Sequence, residues 1–525
     1  MTGTDSGEKM KTEQQNEVSR PSASAGSGIS WLTFGFSGGL LVVFVLVAMI
    51  DVDLLSRSVT AAYLWSTRMF GAYWQLLLLA TFMLGIYVAL SPCGRAILGN
   101  VKTPEISTFK WFSIIMCTLL AGGGVFFAAA EPMAHFIAPP PLHGVPAASA
   151  EAVYPALAQT YMHWGFLSWA ILGSLTTIIF MHLHYDKGLP LKPRTLLYPI
   201  FGDRAITSWI GSVVDAACVL AVVAGTVGPI GFLGLQVSYG MADLFGTSDS
   251  FVTQSTIIVF LIGVYTVSTV SGIHRGIQLL STFNVVLALF LMAFVLLAGP
   301  TAFIVDGYVQ STGMAISRFF PMATFRADVA WLDQWTVFFW GWFLGYGPLM
   351  AMFIARISNG RRIREMILSV SVVAPIVTMF WITIVGGSGI AFELENPGVI
   401  SAPFEGFNMP AALLAITQQL PLGFLISVLF LVLTTIFVAT TGDSMTYSIS
   451  MVMTGTDNPP PLLRIFWGVI MGVVAIILVS IGSGGISALQ SFIVVTAVPV
   501  SLILLPSLWF GPKYAKKIGE AQGFS

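Results

Sequence analysis

The chain has 525 residues, of which 56% are hydrophobic and 9% are charged. Soluble domains carry about 25% charged residues, so this composition identifies a polytopic membrane protein without a large soluble domain. The net charge of −1 argues against nucleic acid as a partner. Three cysteines, Cys93, Cys117 and Cys218, lie in or beside apolar segments and indicate neither a disulfide framework nor a metal site.

A polar tail precedes the apolar segments. Residues 1–30 are rich in Ser, Gly and Glu, which predicts a disordered N-terminal tail. Apolar runs of about 20 residues, the length that spans a bilayer, then recur along the chain. We predict twelve transmembrane helices, near residues 31–50, 70–91, 108–130, 155–182, 208–238, 252–272, 276–299, 334–356, 366–391, 422–447, 462–482 and 486–510.

The distribution of basic residues predicts the orientation. If the N-terminus is cytoplasmic, nearly all Lys and Arg residues of the loops face the cytoplasm, and the outer loops hold only Arg57, Arg68, Arg318 and Arg326. This asymmetry follows the positive-inside rule. We therefore expect both termini in the cytoplasm of a bacterial inner membrane, the C-terminal tail 513–525 being short.

Two spans contain glycine-rich interruptions. Gly122-Gly123-Gly124 lies in the third span, and Gly345-Tyr346-Gly347-Pro348 lies in the eighth. Small residues let helices pack closely, but each glycine costs a helix about 1 kcal/mol, so we favour unwound segments whose free backbone groups bind ligands.

Interrupted helices at matching positions of two halves are typical of transporters built from inverted repeats. We therefore predict two five-helix repeats, helices 3–7 and 8–12. The expected parts are the N-terminal helices 31–107, the first repeat 108–300, an extracytoplasmic connection with a surface helix 301–333, and the second repeat 334–512.

Aromatic residues recur at helical spacing in the fourth and eighth spans. They are Tyr161, Trp164 and Trp169 in the fourth, and Phe339, Trp342, Phe343 and Tyr346 in the eighth. Tryptophans often form an interfacial belt, but Trp164 should lie about a third of the way into its span. Aromatic faces attract organic cations that have no N–H to donate. The pattern therefore predicts a binding site for an organic ammonium group inside the membrane.

The tenth span carries a polar patch, Thr440-Thr441-Gly442-Asp443-Ser444. Threonine hydroxyls in membrane helices either bond back to their own backbone or, with free carbonyls, bind a hard cation such as sodium. Asp443 is an intramembrane acid and is expected to act as a gate or a proton site. The sequence has no Ser/His/Asp set, zincin helix or phosphate loop, so we predict that the protein is not an enzyme.

These motifs together resemble the betaine/choline/carnitine transporter (BCCT) family over residues 31–512. The most specific stretch is Trp335–Glu365, supported by Thr160–Trp169, Glu131-Pro132 and Phe437–Ser444. The resemblance implies an all-α polytopic fold with twelve helices in two inverted five-helix repeats, often a homotrimer in the lipid bilayer. It also implies sodium as the coupling ion and no organic cofactor.

The resemblance also implies the site residues. Carried over by position, the substrate site consists of Trp164, Trp169, Trp342, Phe343, Tyr346, Gly122, Gly123 and Gly124. The sodium site consists of the carbonyls of Leu120, Gly123 and Phe437 with the hydroxyls of Thr440 and Thr441. The chain departs from the family pattern at three positions: Phe126 replaces a glycine, Leu172 replaces a box aromatic, and Val222 replaces a hydroxyl of a second sodium site beside Thr226.

The predicted activity is sodium symport of a methylated onium zwitterion: glycine betaine, dimethylsulfoniopropionate, carnitine or trimethylamine N-oxide. Desolvating an acid side chain to pair with the onium group would be costly. We expect Glu131 to lie toward the outer end, so that no unpaired acid lines the substrate site. A neutral zwitterion is therefore favoured over a bare cation such as choline. The alternatives are a sodium-coupled amino-acid carrier of the same fold and a sodium-independent precursor/product exchanger. A membrane sensor would need a soluble output domain, which the length of the chain excludes, and a channel would need a continuous polar stripe, which the sequence does not show.

Overall fold

A computed structural model describes residues 28–271, 274–456, 458–481 and 486–524, without the side chains of residues 117–122 and 268–279. The predicted tail 1–30 therefore lies almost entirely outside the described residues. We label the long helices α1 (Trp31–Ile50), α2 (Val52–Leu90), α3 (Thr108–Ile137), α4 (Ala150–Asp186), α5 (Trp209–Phe245), α6 (Phe251–Ser271), α7 (His274–Ala298), α8 (Val329–Ile357), α9 (Ile363–Glu395), α10 (Gly423–Thr454), α11 (Pro461–Ser480) and α12 (Ile486–Leu504).

The predicted all-helical membrane fold is confirmed. Within the described ranges the chain forms helices and no strands, with one isolated bridge between Ile97 and Arg362. Ten of the helices are long and apolar enough to cross a membrane. The other two predicted spans correspond to α3 and α6, which both contain undescribed side chains, so the count of twelve and the repeat arrangement stay predictions.

The predicted unwinding of the third and eighth spans is wrong. The backbone is helical through Gly122–Gly124 in α3 and through Gly345–Pro348 in α8. The interrupted helix is instead α4, which leaves helical geometry at Gly165 (φ −100°, ψ −138°) and again at Ser174 (φ −97°, ψ −95°). The helix is therefore interrupted at a single glycine and at a serine, not at the glycine runs.

Wide helical turns occur in the second half of the chain. A π-helical turn, Asp333–Val337, lies near the start of α8, and two more, Ser369–Val373 and Thr383–Gly387, lie in α9. Such turns widen a helix locally and are frequent at functional sites. In α8 the turn directly precedes the aromatic residues that the sequence singles out.

Shorter helices accompany the bundle. The expected helix of the outer connection is Thr301–Ser317, which contacts the first segment of α4. A second helix, Met409–Gln418, packs against α3, α5 and α10. The C-terminal residues expected as a tail form the helix Ser507–Ala521, and the Gln522 side chain after it hydrogen-bonds both backbone groups of Ile97.

The centre of the bundle is formed where α8 contacts α4, α5 and α12, with α3 packed against α4, α5 and α10. Large apolar side chains on the outside of the bundle are exposed, among them Trp31, Leu76, Phe260 and Leu297, as expected for surfaces that face lipid. The aromatic residues of α8 lie inside this bundle, where Phe338, Phe339 and Trp340 are fully buried.

Candidate functional site

The break in α4 directly follows a helical segment whose two aromatic residues, Tyr161 and Trp164, contact different helices. A Cβ atom on Gly165 would lie 2.2 Å from the Tyr161 carbonyl oxygen, so only glycine fits this turn. Before the turn, the Tyr161 hydroxyl bonds the Thr383 hydroxyl of α9. The indole of Trp164, directly before the turn, points instead to α3 and α8, where it bonds Glu131 and contacts Trp342.

Three of the five predicted box residues form one cluster. The ring centroid of Trp164 lies 6.0 Å from that of Trp342 and 5.5 Å from that of Phe343, both in edge-to-face geometry. Trp342 and Phe343 are 6.5 Å apart. In edge-to-face geometry the rings are in contact, and Trp164, Trp342 and Phe343 retain only 4%, 6% and 7% of their exposure. The structure therefore brings together three of the rings that the sequence predicts for an organic cation, packed against one another.

The ring of Trp342 is fixed by two glycines. Its indole N–H donates to the Gly225 carbonyl at 3.2 Å, and a Cβ on Gly123 would lie 2.4 Å from its Cη2 atom. A Cβ on Gly225 would in turn lie 2.6 Å from the Tyr346 ring, whose hydroxyl is 3.1 Å from the Thr226 hydroxyl. Gly123, which the sequence assigns to an unwound segment, here provides space for an aromatic side chain.

Three further residues were predicted for the substrate site, namely Trp169, Gly124 and Gly122. Trp169 is buried, and its indole nitrogen has no hydrogen-bond partner among the described residues. The carbonyl of Gly124 accepts a hydrogen bond at 3.2 Å from Trp381 of α9, an aromatic residue that the sequence analysis missed. For Gly122 only the helical backbone is described.

Glu131 contacts the aromatic cluster, which the sequence analysis did not predict. It lies in the last two turns of α3, at the end that we expected to be the outer one, but it is fully buried and its Oε2 atom accepts the indole N–H of Trp164 at 2.7 Å. Its Oε1 atom lies 2.5 Å from His163 Nδ1 and 3.3 Å from His135 Nε2. One ring of the aromatic cluster is therefore hydrogen-bonded to an acid. An acid inside a membrane span is a signal for a functional site, and this signal could have identified Glu131 from the sequence.

The partners of His163 determine its tautomer. Its Nε2 atom lies 2.9 Å from the Thr336 hydroxyl and 3.0 Å from the Gln159 amide nitrogen, both of which can donate to it. Nδ1 then carries the proton and donates to Glu131. This assignment gives both ring nitrogens of His163 a partner and leaves its imidazole neutral.

Glu131, His135 and His163 are also residue types that bind metals, and their ligand atoms lie within 4.8 Å of one another. Two atoms bound to one zinc ion at about 2.0–2.2 Å in tetrahedral geometry are separated by about 3.3 Å. The 2.5 Å contact between Glu131 Oε1 and His163 Nδ1 is shorter, whereas Glu131 Oε1 and His135 Nε2 are 3.3 Å apart. The contact between Glu131 and His163 is therefore that of a hydrogen bond, not that of two ligands of one zinc ion.

The predicted sodium ligands are only partly described. α3 packs against α10, which carries Phe437, Thr440 and Thr441. The Thr440 hydroxyl donates to the carbonyls of Ile436 (2.9 Å) and Phe437 (3.1 Å) in its own helix, while Thr441 is buried. The other predicted ligands, the carbonyls of Leu120 and Gly123, belong to the continuous helical backbone of α3. The two helices that carry the predicted ligands are therefore in contact, and the sodium site stays a prediction.

Asp443, the acid of the polar patch 440–444, forms an ion pair with Arg464 of α11. The Arg464 guanidinium lies 2.9 Å from Asp443 Oδ1 and covers the ring of Tyr447. Both members of the pair are buried. The acid that the sequence assigns to a gate or a proton site thus has a cationic partner that ties α10 to α11.

Burial differs between the two ends of the aromatic cluster. Phe338, Phe339 and His163, on the side of the π-helical turn, are fully buried. Phe343 retains 7% of its exposure, and Tyr346, one turn further along α8, is only half-buried. The site is therefore closed on the side where α8 begins and less closed toward Tyr346.

A bundle of long apolar helices that encloses anchored aromatic rings and buried ionisable groups is typical of a multi-pass membrane transporter. The comparisons with known proteins agree. The chain matches the sequence profile of the BCCT, betaine/carnitine/choline family transporter, over residues 32–519 and belongs to this family. The resemblance read from the motifs is thereby confirmed.

Named relatives cover nearly the whole chain. It is 60% identical to glycine betaine transporter 2 of Vibrio parahaemolyticus over 490 residues, which are 93% of this chain and 91% of the relative. It is 33% identical to a glycine betaine/proline/choline/ectoine transporter of the same organism over 497 residues (90% and 84%). It is 31% identical to the glycine betaine transporter OpuD of Bacillus subtilis over 489 residues (91% and 92%).

Proposed function

We propose that the protein imports glycine betaine, or a closely related methylated onium solute, together with sodium by alternating access. It acts in a bacterial cytoplasmic membrane with both termini in the cytoplasm, as a homotrimer. The observation that carries the proposal is the cluster of Trp164, Trp342 and Phe343, in which rings from two helices meet at centroid distances of 5.5–6.5 Å.

The chemistry of the substrate fits this cluster. A trimethylammonium group spreads its charge over methyl groups and donates no hydrogen bond, so dry aromatic faces are its natural partners, each contributing about 0.5–2 kcal/mol. The relative that is 60% identical to the chain is named a glycine betaine transporter. Among the candidate solutes, glycine betaine is therefore the first choice, with dimethylsulfoniopropionate, carnitine and trimethylamine N-oxide as related candidates.

Sodium coupling is supported by the packing of α10 on α3. An ion bound by Thr440 and Thr441 together with carbonyls of α3 would hold α3 against α10, and α3 also carries Gly123 beneath Trp342. Binding of the ion and binding of the solute would then favour the same arrangement, which is a coupling free energy between two sites.

Uptake into proteoliposomes tests the proposal. With an inward sodium gradient and a negative interior, labelled glycine betaine should accumulate, and replacing sodium with potassium should abolish accumulation. Trp164→Ala should reduce uptake strongly, whereas Trp509→Ala, at an exposed position of the C-terminal helix, should not. Full uptake without sodium would refute coupling and favour exchange; uptake of primary amino acids in preference to onium solutes would refute the substrate class.

A further inference from the structure

Glu131 is the fully buried acid that stands nearest to the aromatic cluster. Its two carboxylate oxygens serve different partners: Oε2 accepts the Trp164 indole N–H, and Oε1 accepts from His163. Within the described part of the chain, the basic side chains within 4.0 Å of its carboxylate are the histidines His135 and His163. This carboxylate is held by an indole and an imidazole and not by an arginine or a lysine.

The orientation of Trp164 depends on this carboxylate. Trp164 is the last residue of its helical segment, and the backbone leaves helical geometry at the next residue, Gly165. Its ring contacts Phe127, Phe339, Trp342 and Phe343, none of which offers a polar partner to the indole nitrogen. The hydrogen bond to Glu131 is therefore the directional contact that sets the rotation of the ring.

Glu131 is in turn held in place by an ordered shell. His163 donates to it from Nδ1, and the opposite ring nitrogen of His163 is fixed by Thr336 and Gln159. The His163 ring also stacks on Phe339, with centroids 5.0 Å apart and planes inclined by 22°. The chain from Thr336 through His163 and Glu131 to Trp164 is continuous and wholly buried.

We propose that Glu131 is a positioning residue of the substrate site, whose carboxylate holds the Trp164 ring at the angle to Trp342 and Phe343 that an onium group requires. The inference rests on the proposed function, since it assigns the cluster to the solute. Glutamine in place of Glu131 replaces one of the two carboxylate oxygens with an NH2 group, so in this geometry either the Trp164 indole N–H or the His163 Nδ1–H would face a donor instead of an acceptor.

Binding of labelled glycine betaine in sodium, measured on purified Glu131→Gln and Trp164→Phe proteins and on the double variant, tests the proposal. Glu131→Gln should raise the Kd about tenfold and leave transport at saturating solute within about twofold. Phenylalanine has no N–H for the carboxylate, so Glu131→Gln should add less than about twofold in the Trp164→Phe background. An equal loss in both backgrounds would overturn the proposal.

The matched control is Glu393→Gln. Glu393 is also a buried acid, but it accepts from the backbone of Gly398, Ile400 and Ser401 at the end of α9, and its substitution should leave the Kd unchanged. An increase in Kd in Glu393→Gln equal to that in Glu131→Gln would overturn the proposal, because loss of any buried acid would then suffice.

A readout without solute separates this proposal from the proposed function. In protein labelled with 5-fluorotryptophan, the ¹⁹F resonance of Trp164, assigned through Trp164→Phe among the 14 tryptophans, should shift in Glu131→Gln and stay in place in Glu393→Gln. An unshifted resonance would overturn the positioning role. A shifted resonance in a protein that binds no onium solute would retain the positioning role and refute the proposed function.

Discussion

Gly123→Ala should weaken solute binding by displacing Trp342. The added Cβ would lie 2.4 Å from Cη2 of the indole, 3.0 Å from Cζ2 and 3.4 Å from Cζ3. Ordinary carbon contacts begin near 3.5 Å, so the ring must move by about 1 Å. Its N–H is already 3.2 Å from the Gly225 carbonyl, and a further 1 Å breaks that hydrogen bond.

The magnitude follows from what the ring loses. A buried hydrogen bond contributes about 1 kcal/mol, and a displaced ring forfeits part of a cation–π contact of about 0.5–2 kcal/mol. The sum of about 1.5 kcal/mol corresponds to a roughly tenfold higher Kd for glycine betaine. Equilibrium binding of the labelled solute to purified protein in sodium measures this change directly.

Two further variants make the Gly123 prediction specific. The three clashing atoms belong to the six-membered ring of the indole and extend beyond any atom of phenylalanine, so Gly123→Ala should cost little more in a Trp342→Phe background. Gly263→Ala is the control, since a Cβ there meets nothing within 4 Å in α6. The reasoning is refuted if Gly123→Ala binds normally, or if its effect is undiminished in the double variant Gly123→Ala/Trp342→Phe.

Three other substitutions probe separate parts of the structure. Thr441→Ala should raise the sodium concentration for half-maximal uptake several-fold with little change in the maximal rate; an unchanged sodium dependence would move the ion site elsewhere. Arg464→Met should lower the melting temperature in detergent by leaving Asp443 buried without its partner, at a cost of about 3–5 kcal/mol, and adding Asp443→Asn should recover part of it. Gly165→Ala should be strongly destabilising, which a normal melting curve would contradict.

Local periodicity predicted the part of the site that depends on one helix. Phe339, Trp342 and Phe343 share a face of α8 because the helix is regular from Phe338 to Ile357, so spacing along the chain translates directly into position. The bundle of long apolar helices follows from hydropathy in the same way. Neither conclusion needs knowledge of which helices are neighbours.

The role of the glycines could not be predicted from spacing alone. A run of glycines lowers helix propensity, which favours unwinding, but the same lack of a Cβ also allows a ring to lie against the helix. In α3 the second use prevails: Gly123 accommodates Trp342, which belongs to a helix far along the chain. The break at Gly165, in contrast, could not be predicted from the sequence, because a single glycine between two aromatic residues does not indicate an interrupted helix.

The position of Glu131 changes the argument about substrate charge. The preference for a zwitterion over a bare cation was inferred from a pocket without an acid, yet the carboxylate lies one hydrogen bond behind Trp164. An acid at this position would act in the same way on the onium head of a zwitterion and on that of a bare cation. If the cluster holds this head, as we propose, discrimination between glycine betaine and choline depends on the donors that meet the solute carboxylate.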